Sequence, residues 1–213
     1  MKPFDIKKLK YDIDQVLGHF GLGRGTDCEL LRSFVNVSIP PNFSLHPLME
    51  EQRELLEKEG DVWNKEELKM HFLSFVFKFS DLQVPKKIKL FYERPLSGIV
   101  QDTHLSVICD ALLAMPFGIN TPKTPYFFLQ EFKKGKKAQD DAEGQMLVAM
   151  LIAQVQNNNG NPIYGCYLQG RFWYFATLHQ QQYCLSKAYD ATQTDDLIQI
   201  IHILQNLKNI IKL

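Results

Sequence analysis

The chain has 213 residues, which is enough for one domain or for one domain with an appendage. A hydrophobic content of 45% is sufficient to form a buried core. Basic and acidic residues number 24 each, so the formal net charge is zero. This neutrality argues against a strong non-specific nucleic-acid binder, which is normally basic overall, but it leaves room for a local positive surface.

The cysteines indicate a reducing compartment. All four, at positions 28, 109, 166 and 184, lie far apart, and none forms a Cys-x-x-Cys pair. No basic-then-apolar signal opens the sequence. The longest apolar run, 146–153, is too short to span a bilayer. We therefore expect a cytoplasmic protein with no membrane partner.

The first 60 residues are expected to be a helical appendage. Apolar residues of segment 4–20 recur at helical spacing, and Gly21 and Gly23 would end that helix. Segment 28–39 is apolar and ambiguous between helix and strand. Segment 47–60 has an early proline, mixed charges and a final glycine, which predicts a helix. We expect the main domain to cover residues 61–213.

A further helix is predicted from Asn64 onwards. Asn64 can be its N-cap, and Glu67 at the third position would complete a capping box. Apolar residues at 68, 72, 75, 76 and 79 would form its buried stripe. Glu67 lies on the flank of that stripe, whereas Glu66 points nearly opposite. First-turn glutamates also favour the helix dipole without any further role.

Three strands are predicted next. Segment 87–92 alternates as an edge strand would, and a second strand runs through His104 to Ala114. The third, 125–134, carries Glu131 and Lys133, which point the same way about 7 Å apart because strand side chains alternate. If the second and third strands are antiparallel neighbours, Asp110 can lie about 5 Å from Glu131.

Two carboxylates and a lysine near the ends of buried strands need an explanation. Burying like charges together is unfavourable unless something neutralises them. A divalent cation would do so, and oxygen ligands suit Mg²⁺ or Mn²⁺. A neighbouring lysine could orient or deprotonate a water, or stabilise charge on a phosphate.

The remaining chain predicts a buried helix, a hairpin and a final helix. Asp140 can cap the first helix, with Glu143 completing a capping box, and Gln145 is the polar exception in its apolar start. A hairpin is predicted over 163–168 and 172–177. On the amphipathic helix 197–213, Ile203 and Ile210 form a second apolar stripe, which predicts a homodimer contact.

Asp110, the triplet Glu131-Phe132-Lys133 and the element order around them resemble the PD-(D/E)XK nuclease superfamily. The order of helix, three strands, helix and two strands covers roughly residues 64–178. It looks most like the small bacterial branch related to type I restriction subunits. The resemblance implies an α/β fold of restriction-endonuclease-like type, with a mixed four- or five-stranded sheet flanked by helices.

The resemblance also implies a metal site. Asp110 and Glu131 would hold Mg²⁺ or Mn²⁺, with the backbone carbonyl of Phe132 as a third ligand. Lys133 would assist the attacking water. This assignment gives each residue of the triplet a separate role.

Two secondary members are implied as well. The family often places an acidic residue of the first helix near the metal, and here geometry favours Glu67 over Glu66. Gln145 would orient the metal or substrate, or else hydrogen-bond the entrance of its helix.

The expected function is that of a metal-dependent nuclease that hydrolyses phosphodiester bonds in DNA. The alternative is a catalytically silent module that uses the same fold to bind nucleic acid or a protein partner. Neutral charge and the lack of a helix-turn-helix or zinc-finger pattern favour the alternative. DNA or RNA, endo- or exonuclease action, and a homodimer or larger complex all stay open.

Overall fold

The structure is a computed structural model that describes residues 11–133 and 141–211, apart from the side chains of Leu129 and Lys133. Its architecture is α/β, with a mixed sheet between two layers of helices. Strand side chains alternate between the faces, so each face has its own hydrophobic cluster.

The sheet has eight strands among the described residues, more than the four or five that the sequence predicts. Three of the eight have only two to four residues, which is too short for an alternating pattern to be recognised. The strands are β1 (Gly23–Gly25), β2 (Lys89–Val100), β3 (Thr103–Phe117), β4 (Thr121–Lys133), β5 (Ile163–Gln169), β6 (Phe172–His179), β7 (Gln182–Leu185) and β8 (Tyr189–Asp190).

The strand order is β1-β7-β6-β5-β4-β3-β2, and β8 pairs with β6. Strands β2, β3 and β4 form an antiparallel meander, as do β5, β6 and β7. Strands β4 and β5 are parallel, and β1 is parallel to β7. The crossover that the parallel pair β4 and β5 requires contains the helix Ala142–Asn157, which covers one face of the sheet.

Each segment that the sequence predicts as a helix contains helix in its described part; residues 4–10 of the first and 212–213 of the last lie outside the described residues. The helices are α1 (Ile13–Phe20), α2 (Glu29–Val35), α3 (Pro47–Glu59), α4 (Lys65–Leu68), α5 (Ser74–Phe79), α6 (Ala142–Asn157) and α7 (Thr194–Ile210). A π-helical stretch, Lys69–Leu73, joins α4 to α5. Helices α1 and α6 pack on one face of the sheet, and the other five contribute to the cluster on the opposite face.

The capping box predicted for α4 is confirmed. The Asn64 side chain accepts hydrogen bonds from the backbone N–H groups of Glu66 and Glu67 at 2.9 and 3.0 Å. In return, the Glu67 carboxylate accepts from the backbone N–H of Asn64 at 2.6 Å. Two otherwise unsatisfied backbone donors are thereby paired, which fixes where the helix begins.

Helix α6 begins one residue later than predicted. Its N-cap is Asp141 rather than Asp140, and the Asp141 carboxylate accepts from the backbone N–H of Gly144 at 3.0 Å. The same carboxylate accepts from the backbone N–H of Ile13 at 2.7 Å, so one side chain ties the starts of α1 and α6 together. Most of α6 is buried, as its continuous apolar sequence predicts.

Glycine is required where α6 meets the N-terminal segment. A Cβ at position 144 would lie 1.5 Å from the carbonyl oxygen of Tyr11, whereas a Cβ at Gly18 in α1 would have nothing within 4 Å. We expect Gly144→Ala to destabilise the protein by at least about 1–3 kcal/mol, through overpacking against backbone. Gly18→Ala should stabilise it by about 1 kcal/mol, because alanine favours helix. Urea unfolding of both variants measures the contrast.

The second apolar stripe of α7 is covered within one chain. Ile203 is fully buried, and Ile210 packs against the hydrophobic cluster. The reason for expecting a homodimer contact on this helix is therefore removed, although a homodimer itself stays a prediction.

Part of the predicted appendage is joined to the sheet. Strand β1 pairs with β7, and α1 packs on α6. Helix α2 resolves the ambiguous segment 28–39. The division of the chain at residue 60 stays a prediction from the sequence pattern.

Within residues 11–133 and 141–211, none of the helices has the length and apolar character needed to cross a bilayer.

Candidate functional site

Asp110 and Glu131 lie at the point where β3 and β4 stop pairing. The registered pairs run from the hairpin end to Ala111 opposite Gln130, and the two acidic residues follow directly. Beyond this point the Asp110 carboxylate takes over the pairing, since its Oδ2 accepts from the backbone N–H of Phe132 at 2.8 Å. Asp110 is 2% exposed and Glu131 is 3% exposed. The structure thus places two buried carboxylates where the β3–β4 pairing stops, in the middle of β3 and near the end of β4.

Both carboxylates act on a third buried group. Burial raises the pKa of the Cys109 thiol, and the negative charges of Glu131 and Asp110 raise that pKa further. Glu131 also lies beside Tyr167 in the parallel pairing of β4 with β5.

A lysine of α4 neutralises Asp110. The Lys65 ammonium donates to Asp110 Oδ1 and forms an ion pair with it. The side chain of Lys65 is 36% exposed, whereas that of Asp110 is 2% exposed. A cation that can reach solvent therefore contacts a carboxylate that cannot.

Two further charged groups surround this pair. Lys69 forms an ion pair with Glu93, and the interaction with Asp110 is among the smaller causes that lower the pKa of Glu93. Burial opposes ionisation of Glu93, but hydrogen bonding and attraction to Lys69 outweigh it, so the pKa of Glu93 is lowered. Burial likewise lowers the pKa of Lys69, and its hydrogen bonds with Glu93 and Glu66 outweigh that effect and raise it. We call Lys65, Lys69, Glu93 and Asp110 the Asp110 cluster.

The two glutamates of α4 are not brought to Asp110. Glu67 is exposed, and its carboxylate is used in the capping box. Glu66 is also exposed and pairs with Lys69 at 3.0 Å. Two lysines reach the strands instead: Lys65 of α4 contacts Asp110, and Lys69 of the following π-helical stretch contacts Glu93.

The other predicted site residues are Phe132, Lys133 and Gln145, and the structure describes them to different extents. The backbone of Phe132 is held by Asp110, and its side chain is buried in the hydrophobic cluster. Lys133 is the last residue of β4, and its side chain lies outside the described part. The basic segment 134–137 lies outside it as well. Gln145 is half-buried in the first turn of α6, and its side chain makes no hydrogen bond within the described residues.

Sequence reasoning missed Lys65 and Glu93. Because Lys65 directly follows the N-cap Asn64, the sequence places it at the start of the helix. The sequence does not indicate that its partner is Asp110 of β3. Glu93 has a positive φ of 49° in β2, where an irregularity directs the chain in a way that alternation does not predict.

A second buried carboxylate lies at the start of α6. Glu143 pairs with Arg24 of β1 at 2.9 Å and accepts from the Tyr183 hydroxyl at 3.1 Å. The Tyr167 hydroxyl also donates to it, at 3.5 Å. This residue was predicted to close a capping box, and it instead connects β1, β5 and β7 to α6. Desolvation raises the pKa of Glu143, although attraction to Arg24 opposes the change.

The raised pKa of Glu143 predicts a dependence of stability on pH. Between its unfolded and folded pKa values, the folded state binds more proton than the unfolded state, so the contribution of Glu143 to stability falls as pH rises. Glu143→Gln should remove this part of the slope while keeping an acceptor for the tyrosines. Urea unfolding of both proteins from about pH 4.5 to pH 7 measures it. A Gln variant with the wild-type slope would contradict the assignment.

A wide groove of about 990 Å³ lies elsewhere in the fold. It is formed by residues 35–41, by Phe43 and by the start of α7, and no member of the Asp110 cluster lines it. Its charged lining residues, Lys187, Asp195 and Asp196, are not buried, whereas Asp110 is. The buried carboxylates, and not this groove, are therefore the candidate site.

Comparison with known proteins does not place the chain in a family. No protein-family model matches the sequence, and no curated protein matches it.

Proposed function

We propose that the protein is a metal-dependent nuclease of the PD-(D/E)XK type, acting on phosphodiester bonds of DNA. The observation that carries the proposal is the position of Asp110. This buried carboxylate lies where β3 and β4 stop pairing, and it accepts a hydrogen bond from the backbone N–H of Phe132. The buried Glu131 lies next to it on the neighbouring strand β4. The mixed sheet with α6 as the crossover between β4 and β5 agrees with the restriction-endonuclease-like arrangement.

The donor groups fit a hard divalent cation. Within the described residues, no group of three His, Cys, Asp or Glu side chains could hold a metal ion. Mg²⁺ commonly binds through one or two carboxylates and completes its shell with waters and substrate phosphate. In this proposal, Asp110, Glu131 and the Phe132 carbonyl would supply the protein oxygens of such a shell. The Lys65 ammonium on Asp110 shows that this carboxylate already attracts a positive charge.

Each residue has a stated role in the proposal. Asp110 and Glu131 hold Mg²⁺ or Mn²⁺, which would polarise the phosphate and lower the pKa of a bound water. Lys133 stabilises the charge that develops as water attacks the phosphorus. Gln145 orients the metal or the substrate from the start of α6. Glu67 would have to leave its capping box to join the metal, so its role is the weakest of the set.

A cleavage assay tests the proposal. Purified protein is incubated with single- and double-stranded DNA and RNA, each with Mg²⁺, Mn²⁺ or EDTA. We expect cleavage of DNA that depends on the metal and disappears in EDTA. Cleavage that persists in EDTA, or that occurs only on RNA, would contradict the proposed metal or substrate.

One observation favours a second function, that of a silent binding module. Asp110 is already satisfied by Lys65 and by the backbone of Phe132, so its burial does not require a metal. In this alternative, the Asp110 cluster is structural and the fold binds nucleic acid or a protein partner. A wild type that binds DNA but cleaves no substrate with any metal would support the module.

A further inference from the structure

One end of the sheet lacks acidic residues. No Asp or Glu occurs in segments 82–92 and 111–130, whereas four lysines do, in a chain with no net charge. These segments contain the start of β2 and the hairpin that joins β3 to β4. Because β5 runs parallel to β4, the uncharged connection 158–162 that precedes β5 belongs to the same end. Four acidic residues adjoin these segments in sequence: Asp81, Glu93, Asp110 and Glu131. Asp81 pairs with Lys208 at 2.7 Å, and the other three belong to the candidate site.

The hairpin presents apolar side chains to solvent at its apex. We define the hairpin tip as residues 117–121. Phe117 is 66% exposed and Ile119 is 89% exposed, while Gly118 supplies the positive φ that the turn needs. Two large apolar side chains at a protruding turn contribute nothing to the core, so folding does not explain them.

Three basic side chains contact the hairpin tip next to Phe117 and Ile119. The Lys123 ammonium lies over the Phe117 ring at 5.9 Å, and the Lys89 ammonium donates to the Ile119 carbonyl. Arg94 reaches the Asn120 carbonyl at 3.4 Å. Positive groups are thus fixed around the apex by the hairpin's own backbone and ring.

Two more lysines lie at the same end. Lys86 and Lys87 are exposed in the turn that precedes β2, where Val84 bridges to Ile88. Lys89, the first residue of β2, pairs with Ala114 only three residues from Phe117. The charge is therefore concentrated locally, which a neutral chain needs if it is to bind a polyanion.

We propose that the hairpin tip and the lysines around it form a contact surface for a nucleic-acid duplex. The lysines contact backbone phosphates, and Phe117 and Ile119 enter the minor groove as apolar wedges. The choice of nucleic acid as the polyanion rests on the proposed function. Asp110 and Phe117 are seven residue steps apart along β3, which is about 23 Å at about 3.3 Å per step. A duplex along the β2 edge would cover that length with about seven base pairs.

The test measures binding without cleavage. Anisotropy of a fluorescently labelled DNA duplex is followed in EDTA over a range of sodium chloride concentrations. Lys87→Gln/Lys123→Gln should weaken binding and reduce the slope of log K against log salt by about 0.9 for each phosphate that a lysine no longer neutralises. Phe117→Ser/Ile119→Ser should weaken binding about tenfold and leave the slope unchanged, because no charge is removed.

Matched variants control for charge and for surface polarity. Lys58→Gln/Lys187→Gln removes the same charge from exposed positions elsewhere, and Val62→Ser replaces another apolar residue that is 76% exposed. Both should bind DNA as wild type does. If the control pair lowers the slope equally, the effect is one of net charge and the surface is refuted.

The remaining outcomes separate this inference from the nuclease proposal. A wild type that cleaves DNA, with tip variants that bind normally, overturns the contact surface alone. A wild type that neither binds nor cleaves nucleic acid overturns both. Vesicles of equal parts phosphatidylcholine and phosphatidylserine provide another polyanion. Tip-dependent binding to these vesicles without binding to DNA would overturn the duplex as the partner.

Discussion

Asp110→Asn should abolish metal binding and metal-dependent cleavage while leaving the fold intact. The amide oxygen can still accept from the backbone N–H of Phe132, so the strand junction keeps its hydrogen bond. The lost charge removes the main attraction for a divalent cation, and Lys65 is exposed enough to be rehydrated. A ligand that binds only the folded state stabilises it, by about 2.7 kcal/mol at a hundred times its Kd.

The measurement is thermal unfolding with and without Mn²⁺, together with cleavage. Stabilisation of that size should raise the wild-type Tm by about 5–10 °C for a chain of this length. Asp110→Asn should show no rise and a cleavage rate at least about a hundredfold lower. Glu143→Gln is the matched control, because it neutralises another buried carboxylate outside the candidate site and should keep the Mn²⁺ effect. A rise in the Asn variant equal to that of wild type would refute Asp110 as a ligand.

The sequence was informative where local chemistry decides the structure. Asn64 and Glu67 predict their own capping box, because both partners lie within one helical turn. The apolar runs of β3 and β4 predict neighbouring strands, and the single stretch of each that carries a carboxylate predicts that Asp110 and Glu131 lie opposite each other. Position along a strand follows from local periodicity, so the acidic pair could be found without coordinates.

The parts that were missed depend on contacts between distant segments. Strand β1 is Gly-Arg-Gly, which has no strand pattern, and it exists because β7 offers an unpaired edge. The partner of Asp110 is Lys65, 45 residues away, and no periodicity relates the two. Glu143 fitted a capping box by spacing, but tertiary contact with Arg24 and two tyrosines determines its position. Local pattern cannot express such pairings.

The identity of the charge beside Asp110 decides between the two proposed functions. An ammonium group and a divalent cation compete for the same carboxylate oxygens, and either one stabilises the charge of the buried Asp110 carboxylate. If the protein is an enzyme, Lys65 must move or share Asp110 when the metal binds. If it is a module, Lys65 is the permanent partner. The cleavage rate of a Lys133 variant distinguishes the enzyme from the module. Only a catalytic site needs a second ammonium group, besides that of Lys65, beside the carboxylates.

Lys133→Ala should lower the DNA cleavage rate at least about a hundredfold, on the order of 3 kcal/mol in the activation free energy. Its ammonium would stabilise charge that appears only as water attacks the phosphorus. DNA binding should be nearly unchanged, because a group that acts in the transition state alone affects rate and not ground-state affinity. If Lys133 is instead a solvated strand end, its loss should change only stability, by less than about 1 kcal/mol. If it is a structural partner of the buried Glu131, its loss leaves an uncompensated buried charge and should lower stability by about 3–5 kcal/mol without a specific effect on rate.

Cleavage and binding are therefore measured in parallel for wild type, Lys133→Ala and Glu131→Gln, in the same salt and metal. Lys78→Ala, an exposed lysine of α5, controls for the loss of one positive charge and should cleave as wild type does. Equal cleavage by wild type and Lys133→Ala would show that the residue assignment is wrong while the nuclease class stands. If wild type cleaves nothing yet binds DNA, and Lys133→Ala binds equally well, the silent module is the correct function. Without cleavage there is no transition state that Lys133 could stabilise.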